Sequence, residues 1–275
     1  MNVEGQVIYT GGGNTIEVIS LWEKERNSLV IYEEPGIAAI YHITKINDSV
    51  LFFDTCSGNP HCMIHQLNLS TKEVLVTRTG FLPQYISGHD QLFFYDQSAD
   101  HGNWLFMASL ADVNSITKIA KAPKNKTLPN GIQLLGMMPV VQISTDEVVF
   151  LNEDGQLTIY NIVNAKRSSL GIDDCRPIFW RQTTQQLFCT NWRAKEPFLL
   201  DLKTRKKEEV SGLNNAYGFV YIARFDSVIF GKTRSRLPFG ESYDIFSYSF
   251  PENKESIVMK YSHIAAGLWI DTRHP

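Results

Sequence analysis

The stretch SHIAAGLWID, Ser262–Asp271, decides how this chain is read. It is largely apolar, it follows the last hairpin pattern, and only Thr272-Arg273-His274-Pro275 come after it. A solitary strand presents a row of unpaired backbone groups that invites aggregation, so it needs a partner. Residues 5–34 offer one, because they read as three strands with no opening strand of their own. Placing His263–Asp271 as the missing fourth strand closes the chain into a ring through its own two ends.

Between those ends, short β-rich runs recur and no long stretch shows a helical period. The runs group in fours, at a spacing of roughly 45 residues, which is the length of a propeller blade. The groups span residues 38–77, 84–120, 138–170, 177–210 and 217–261, with 5–34 plus 263–271 as the sixth. The expected fold is therefore all-β: one domain over residues 1–275, a six-bladed β-propeller with four antiparallel strands per blade. The second strands align as QVIYT, SVLFFD, QLFFYD, EVVFLN, QQLFCT and SVIFGK. Such near-continuous apolar runs fit strands covered on both faces. The third strands, IEVISL, MIHQLNL, WLFMASL, LTIYNIV, FLLDLKT and DIFSYSF, alternate more. The outermost strands should carry charge to blunt the edge, as Lys206-Lys207-Glu208-Glu209 and Lys254-Glu255 do.

These aligned second and third strands resemble the six-bladed TolB-like propellers over essentially the whole chain. That family usually carries a Ser-Pro-Asp-Gly turn before the second strand. Here the turns are Asn47-Asp48, His89-Asp90, Thr145-Asp146 and Phe225-Asp226, which keep the Asp alone. The resemblance implies architecture, and architecture does not supply function.

Composition narrows the partners. A 275-residue chain, 43% hydrophobic, can bury roughly 75% of its unfolded surface and needs no metal or disulfide to hold it. A formal net charge of −3 lacks the basic footprint of a nucleic-acid binder. No apolar run approaches the ~20 residues of a membrane span. The opening Met-Asn-Val-Glu-Gly-Gln-Val has neither the basic nor the apolar region of a signal peptide, so a cytoplasmic location is expected. For a cytoplasmic chain, Cys175 and Cys189 read as small buried thiols. Cys56 and Cys62 flank one hairpin loop and could bridge in an oxidising compartment.

The loops joining second to third strands, and blade to blade, share one face and are the longer set: 55–62, 97–103, 191–196, 232–242 and 121–135. Function concentrates on long loops held by a rigid scaffold. The candidate binding residues on this face are Trp192, Arg193, Arg234, Arg236 and Phe239, of the types enriched at interface hot spots, with Asp54, Asp96, Asp100 and Lys124 as charged neighbours. His61, Cys62 and His65 are weak metal candidates, since Cys62 and His65 straddle a strand start and would point apart. Ser98–Trp104 resembles the Asp-box of sialidases but is one residue short and falls between strands two and three. There is no Gly-x-Ser-x-Gly elbow and no phosphate loop. The first strands carry His42, Gln142, Arg181 and Tyr221 rather than a ring of carboxylates for a hard cation.

The expectation is a non-enzymatic, cofactor-free, monomeric propeller that binds another protein through its long-loop face, as an inhibitor or immunity protein would. The alternatives are a glycan-active or small-molecule enzyme working at the channel mouth, and a scaffold subunit.

Overall fold

The computed structural model describes residues 6–10, 14–20, 28–34, 39–56, 62–97, 103–124, 126–127, 133–134, 139–191, 196–237, 240–262 and 270–271. The chain divides into two compact units, Met1–Pro83 with Asn215–Pro275, and Gln84–Asn214. Among the described residues the strands form six four-stranded antiparallel sheets and one two-stranded hairpin.

Sheet 1 takes Gln6–Thr10, Thr15–Ser20 and Ser28–Glu33 from one end of the chain. Its opening strand is Ile270–Asp271, antiparallel to the first, with Val7 opposite Asp271 and Ile8 opposite Ile270. The two ends thus share a sheet, as the orphan strand required; residues 263–269 lie outside the described residues. Sheet 2 is Ala39–Lys45, Val50–Cys56, Met63–Asn68 and Val74–Thr79. Sheet 3 is Phe81–Ile86, Gln91–Gln97, Asn103–Ser109 and Asp112–Lys121. Sheet 4 is Val141–Gln142, Glu147–Leu151, Leu157–Asn161 and Lys166–Ser169. Sheet 5 is Arg176–Arg181, Gln186–Thr190, Phe198–Asp201 and Lys207–Glu209. Sheet 6 is Tyr217–Ile222, Ser227–Leu237, Gly240–Ser249 and Lys254–Ser262.

The second strands are the buried ones. Leu51–Phe53, Leu92–Phe94, Val148–Phe150, Leu187–Cys189 and Val228–Phe230 are each at most 1% exposed. With apolar neighbours on both faces, such a strand has no reason to alternate. In the first unit, Ile16, Ile40, Ile43, Leu51, Phe53 and Leu67 join sheets 1 and 2 in one core. In the second, Val149, Leu157, Leu187 and Leu200 belong to a core shared by sheets 4 and 5. At the rims, Lys166–Ser169 and Lys207–Glu209 are exposed throughout. Val74–Thr79 departs from the charged-edge rule, with Leu75 and Val76 more than half exposed.

Four differences from the sequence reading have local causes. The opening strand of sheet 4 is only Val141–Gln142, not 138–144. Pro139 offers no N–H to a ladder, and Ile143 and Ser144 both turn back to donate to the Glu147 carbonyl. The stretch 121–135 is not all loop, since Lys126–Thr127 pairs with Gln133–Leu134. Of the 232–242 loop, 232–237 and 240–242 are instead the far end of a hairpin whose strands run 11 and 10 residues.

The fourth concerns the cysteines. Both pairs are bridged, Cys56 to Cys62 and Cys175 to Cys189, and no cysteine is free. The pairing of Thr55 with Met63 leaves Cys56 and Cys62 facing across the hairpin end, 4.4 Å apart at Cα. Pairing of Pro177 with Cys189 brings Cys175 alongside, at 5.1 Å. Register, which composition does not reveal, makes these partners.

Candidate functional site

The structure separates the sequence candidates. Trp192, Arg193, Asp100, Phe239 and His61 lie outside the described residues. Lys124 is exposed just beyond the last strand of sheet 3, and Asp96 is half-buried opposite Trp104. Arg234 and Arg236 lie in the long strand of sheet 6, with Arg236 in register with Glu241.

Asp54 is a correction. It is not on a loop but inside the second strand of sheet 2, fully buried. The ladder between Ala39–Lys45 and Val50–Cys56 shifts register between Ile40 and Ile43, which strips the His42 N–H of its ladder acceptor. Asp54 Oδ1 accepts that N–H at 2.8 Å. Asp54 Oδ2 contacts His42 Nδ1 at 2.8 Å and accepts the Leu82 N–H at 2.6 Å. Leu82 has φ +55°, a left-handed conformation that costs an L-residue about 1–2 kcal/mol. The carboxylate therefore fills a bulge and fastens the chain where it leaves sheet 2.

Two of the three weak metal candidates are among the described residues. Cys62 is consumed by its disulfide. His65 is 6% exposed, its Nε2 sits 2.8 Å from Thr55 Oγ1, and its ring stacks on Phe53 with centroids 4.9 Å apart. Among the described residues no group of three or more His, Cys, Asp or Glu could hold a metal ion. Burial pushes the His65 pKa below its usual value, against smaller upward pulls from the Glu34 and Asp54 charges. A base held neutral by the fold binds fewer protons folded than unfolded, so stability rises with pH across its titration. The contribution is fully present above about pH 6.5, the unfolded value, and is lost as pH falls toward the lower folded value. Urea midpoints between about pH 7.5 and 5 should fall less steeply in His65→Gln than in the parent; parallel curves would contradict this.

Two features remain as sites. The first is the end of the sheet 6 hairpin. Its strands pair from Ser227 with Ser249 out to Leu237 with Gly240. The neighbouring first strand reaches only Gly231, and the fourth reaches only Tyr243. Among the described residues, 232–237 and 240–242 thus form a two-stranded ribbon running beyond the four-stranded body.

The second is a cleft of about 470 Å³ within the second unit, lined by the opening strands of sheets 3, 4 and 5 and the turns that follow them. Gln84, Ser87, Gln142, Thr145, Trp180 and Gln182 carry its character. No Asp, Glu, Lys, Arg or His lines it among the described residues. Tyr85 also faces it, but its hydroxyl donates to Asp90 at 2.7 Å. Burial, then the Asp90 carboxylate, push that phenol up to about 12. The rim is closed by direct contacts: Ser87 Oγ donates to Gln142 Oε1 at 3.3 Å, and His89 Nε2 meets Asp146 at 2.8 Å. A β-carbon at Gly88 would collide with the Thr145 carbonyl oxygen, so the turns of sheets 3 and 4 pack as closely as a glycine allows.

The cleft lies on the side of the first-to-second-strand turns, not among the long loops. The signal was present in Gln84-Tyr85-Ile86-Ser87 and Gln142-Ile143-Ser144, each just before an Asp-bearing turn. A search for carboxylates on the first strands passes over amides.

No protein-family model matches the sequence, and no curated protein matches it. Solved structures do resemble the fold. TolB from Acinetobacter baumannii is 9% identical with a TM-score of 0.70, over 96% of this chain and 66% of that one. This chain therefore spans a little under two thirds of that protein. A TolB-type structure from Agrobacterium tumefaciens is 8% identical with a TM-score of 0.61, covering 99% and 98% of the two chains. The WD40 propeller domain of Doa1 is 10% identical with a TM-score of 0.54, covering 93% and 79%. Among the described residues no helix is long and apolar enough to cross a membrane. The chain has a β-propeller fold whose blades are four-stranded antiparallel sheets, similar to those of TolB and WD40 structures.

Proposed function

We propose that this is a protein-binding propeller whose partner engages the sheet 6 ribbon, residues 232–242. In this reading the six four-stranded sheets are six blades and the Ile270–Asp271 pairing is the closing seam. The observation that carries the function is the ribbon itself. It outruns both neighbouring strands among the described residues, leaving ladder positions to which a partner strand could add. Arg234 and Arg236 stand on it, and arginine is enriched where interfaces concentrate their energy. Because the ribbon springs from a buried sheet, less ordering is lost on association than for a free loop. An inhibitor or immunity protein that blocks a toxin or enzyme is the narrow form of this proposal.

The two bridged cysteine pairs support an oxidising compartment, rather than the cytoplasm suggested by the opening residues.

The test trims the ribbon by joining Lys232 to Asp244, which pair in register, through a two-residue Asn-Gly turn. Parent, trimmed and Arg234→Ala/Arg236→Ala proteins are compared by quantitative affinity capture, with urea midpoints as the fold control. The trimmed protein should keep its unfolding free energy within about 1 kcal/mol of the parent's and lose the partner captured by the parent. The double variant should weaken capture by about tenfold or more. Full retention of the partner by the trimmed protein overturns the reading.

A further inference from the structure

We propose that the cleft of the second unit is a binding site for an uncharged sugar of one or two rings. This goes beyond the ribbon reading and does not depend on it. The cavity, about 470 Å³, falls within the range of small-ligand sites. Its lining excludes the other ligand chemistries in turn. A charged ligand would shed hydration and meet no opposite charge among the described lining residues. An apolar ligand would strand the amides of Gln84, Gln142 and Gln182 and the hydroxyls of Ser87 and Thr145 without water. A peptide strand needs a run of ladder groups, and the central opening strand, Val141–Gln142, offers two residues.

A sugar suits what remains. Each hydroxyl both donates and accepts, and each glutamine amide presents one acceptor oxygen and two donor hydrogens. Three such amides converge from three separate opening strands or their turns. Trp180, half-buried at the edge of the core shared by sheets 4 and 5, supplies a ring for the apolar face of a sugar. Gln84 Nε2 is a buried donor with no hydrogen-bond partner. An orphaned donor is costly, while other atoms of this half-buried residue reach the surface. Gln84 lines the cleft, so a sugar oxygen brought against its amide relieves the cost. The close seat of Gly88 on Thr145 and the His89–Asp146 contact hold the rim in place, so little ordering remains for the ligand to do.

The experiment is saturation-transfer NMR and calorimetry on the intact protein. The probes are maltose, cellobiose and chitobiose, with glucuronate and an end-capped alanine tripeptide as charged and peptide probes. At least one disaccharide should bind with Kd of about 1 mM or tighter, and glucuronate and the tripeptide at least about tenfold more weakly. Gln142→Ala should weaken that disaccharide about tenfold, as should Gln182→Ala, an exposed position that leaves folding intact. Trp180→Ala should abolish it. Because Trp180 also touches the core, the two glutamine variants decide the matter if that protein does not fold. No binding by any of the three disaccharides overturns the proposal. So does tighter binding of glucuronate or the tripeptide, or disaccharide binding unchanged in both glutamine variants. None of these results bears on the ribbon.

Discussion

Replacing Asp54 by Ala should cost about 3–5 kcal/mol of folding stability, the largest loss expected from any single side chain described above. The carboxylate is fully buried and occupied at both oxygens. Its removal leaves two backbone N–H groups, of His42 and Leu82, without the acceptors they now have. Each stranded donor costs about 1–3 kcal/mol, and the His42 ring loses its partner as well. Leu82 then holds its left-handed conformation, φ +55°, with less to enforce it. Asp54→Asn should fall between, because one oxygen still accepts while the amide nitrogen faces donors. Urea unfolding reads the loss, and hydrogen exchange locates it: protection should drop first around 80–86, where the chain enters sheet 3. A loss below about 1 kcal/mol, or unchanged exchange there, would contradict the role given to this carboxylate.

Asp54 also shows where a sequence stops being informative. In the row SVLFFD it sits at the end of an apolar run, before a loop, and an acidic residue there reads as solvated. Its burial follows from a register shift between Ile40 and Ile43, which no composition or period encodes. The strands themselves were legible, because LFF, VVF and VIF leave no polar face to a strand and so announce burial on both sides. The pairing of the two ends was legible for a related reason. An unpartnered apolar strand at one end and a three-stranded group at the other left one economical pairing, and Val7–Asp271 realises it. What failed depended on distances between strands. Cys62, one of three weak metal candidates, is taken up by Cys56, and 232–237 and 240–242 of the supposed loop are strand, since each of those residues keeps the N–H a ladder needs. The cleft is not legible from long loops or charge. Its character comes from amides on short opening strands.

The second large effect should come from the buried disulfide. Cys175 and Cys189 are at most 1% exposed and belong to the core shared by sheets 4 and 5, 14 residues apart in sequence. A bridge closing a loop of that size restricts the unfolded chain by about 3 kcal/mol. The Cys175→Ala/Cys189→Ala protein should therefore lose about 3 kcal/mol and melt on the order of 10 °C lower. Cys56–Cys62 spans only 6 residues, so the same reasoning gives about 2 kcal/mol, and its two cysteines are half-buried rather than buried. The two bridges should consequently open in order. Mild reduction of the folded protein followed by alkylation should label Cys56 and Cys62 while Cys175 and Cys189 stay bridged until the core itself opens. Labelling of Cys175 and Cys189 first, or a double-alanine protein that melts with the parent, would break the link between core burial and bridge strength. If the order holds, the inner bridge is a structural fastening under the core, and the outer one ties the end of Val50–Cys56 to the start of Met63–Asn68 without governing whether sheets 4 and 5 stay folded.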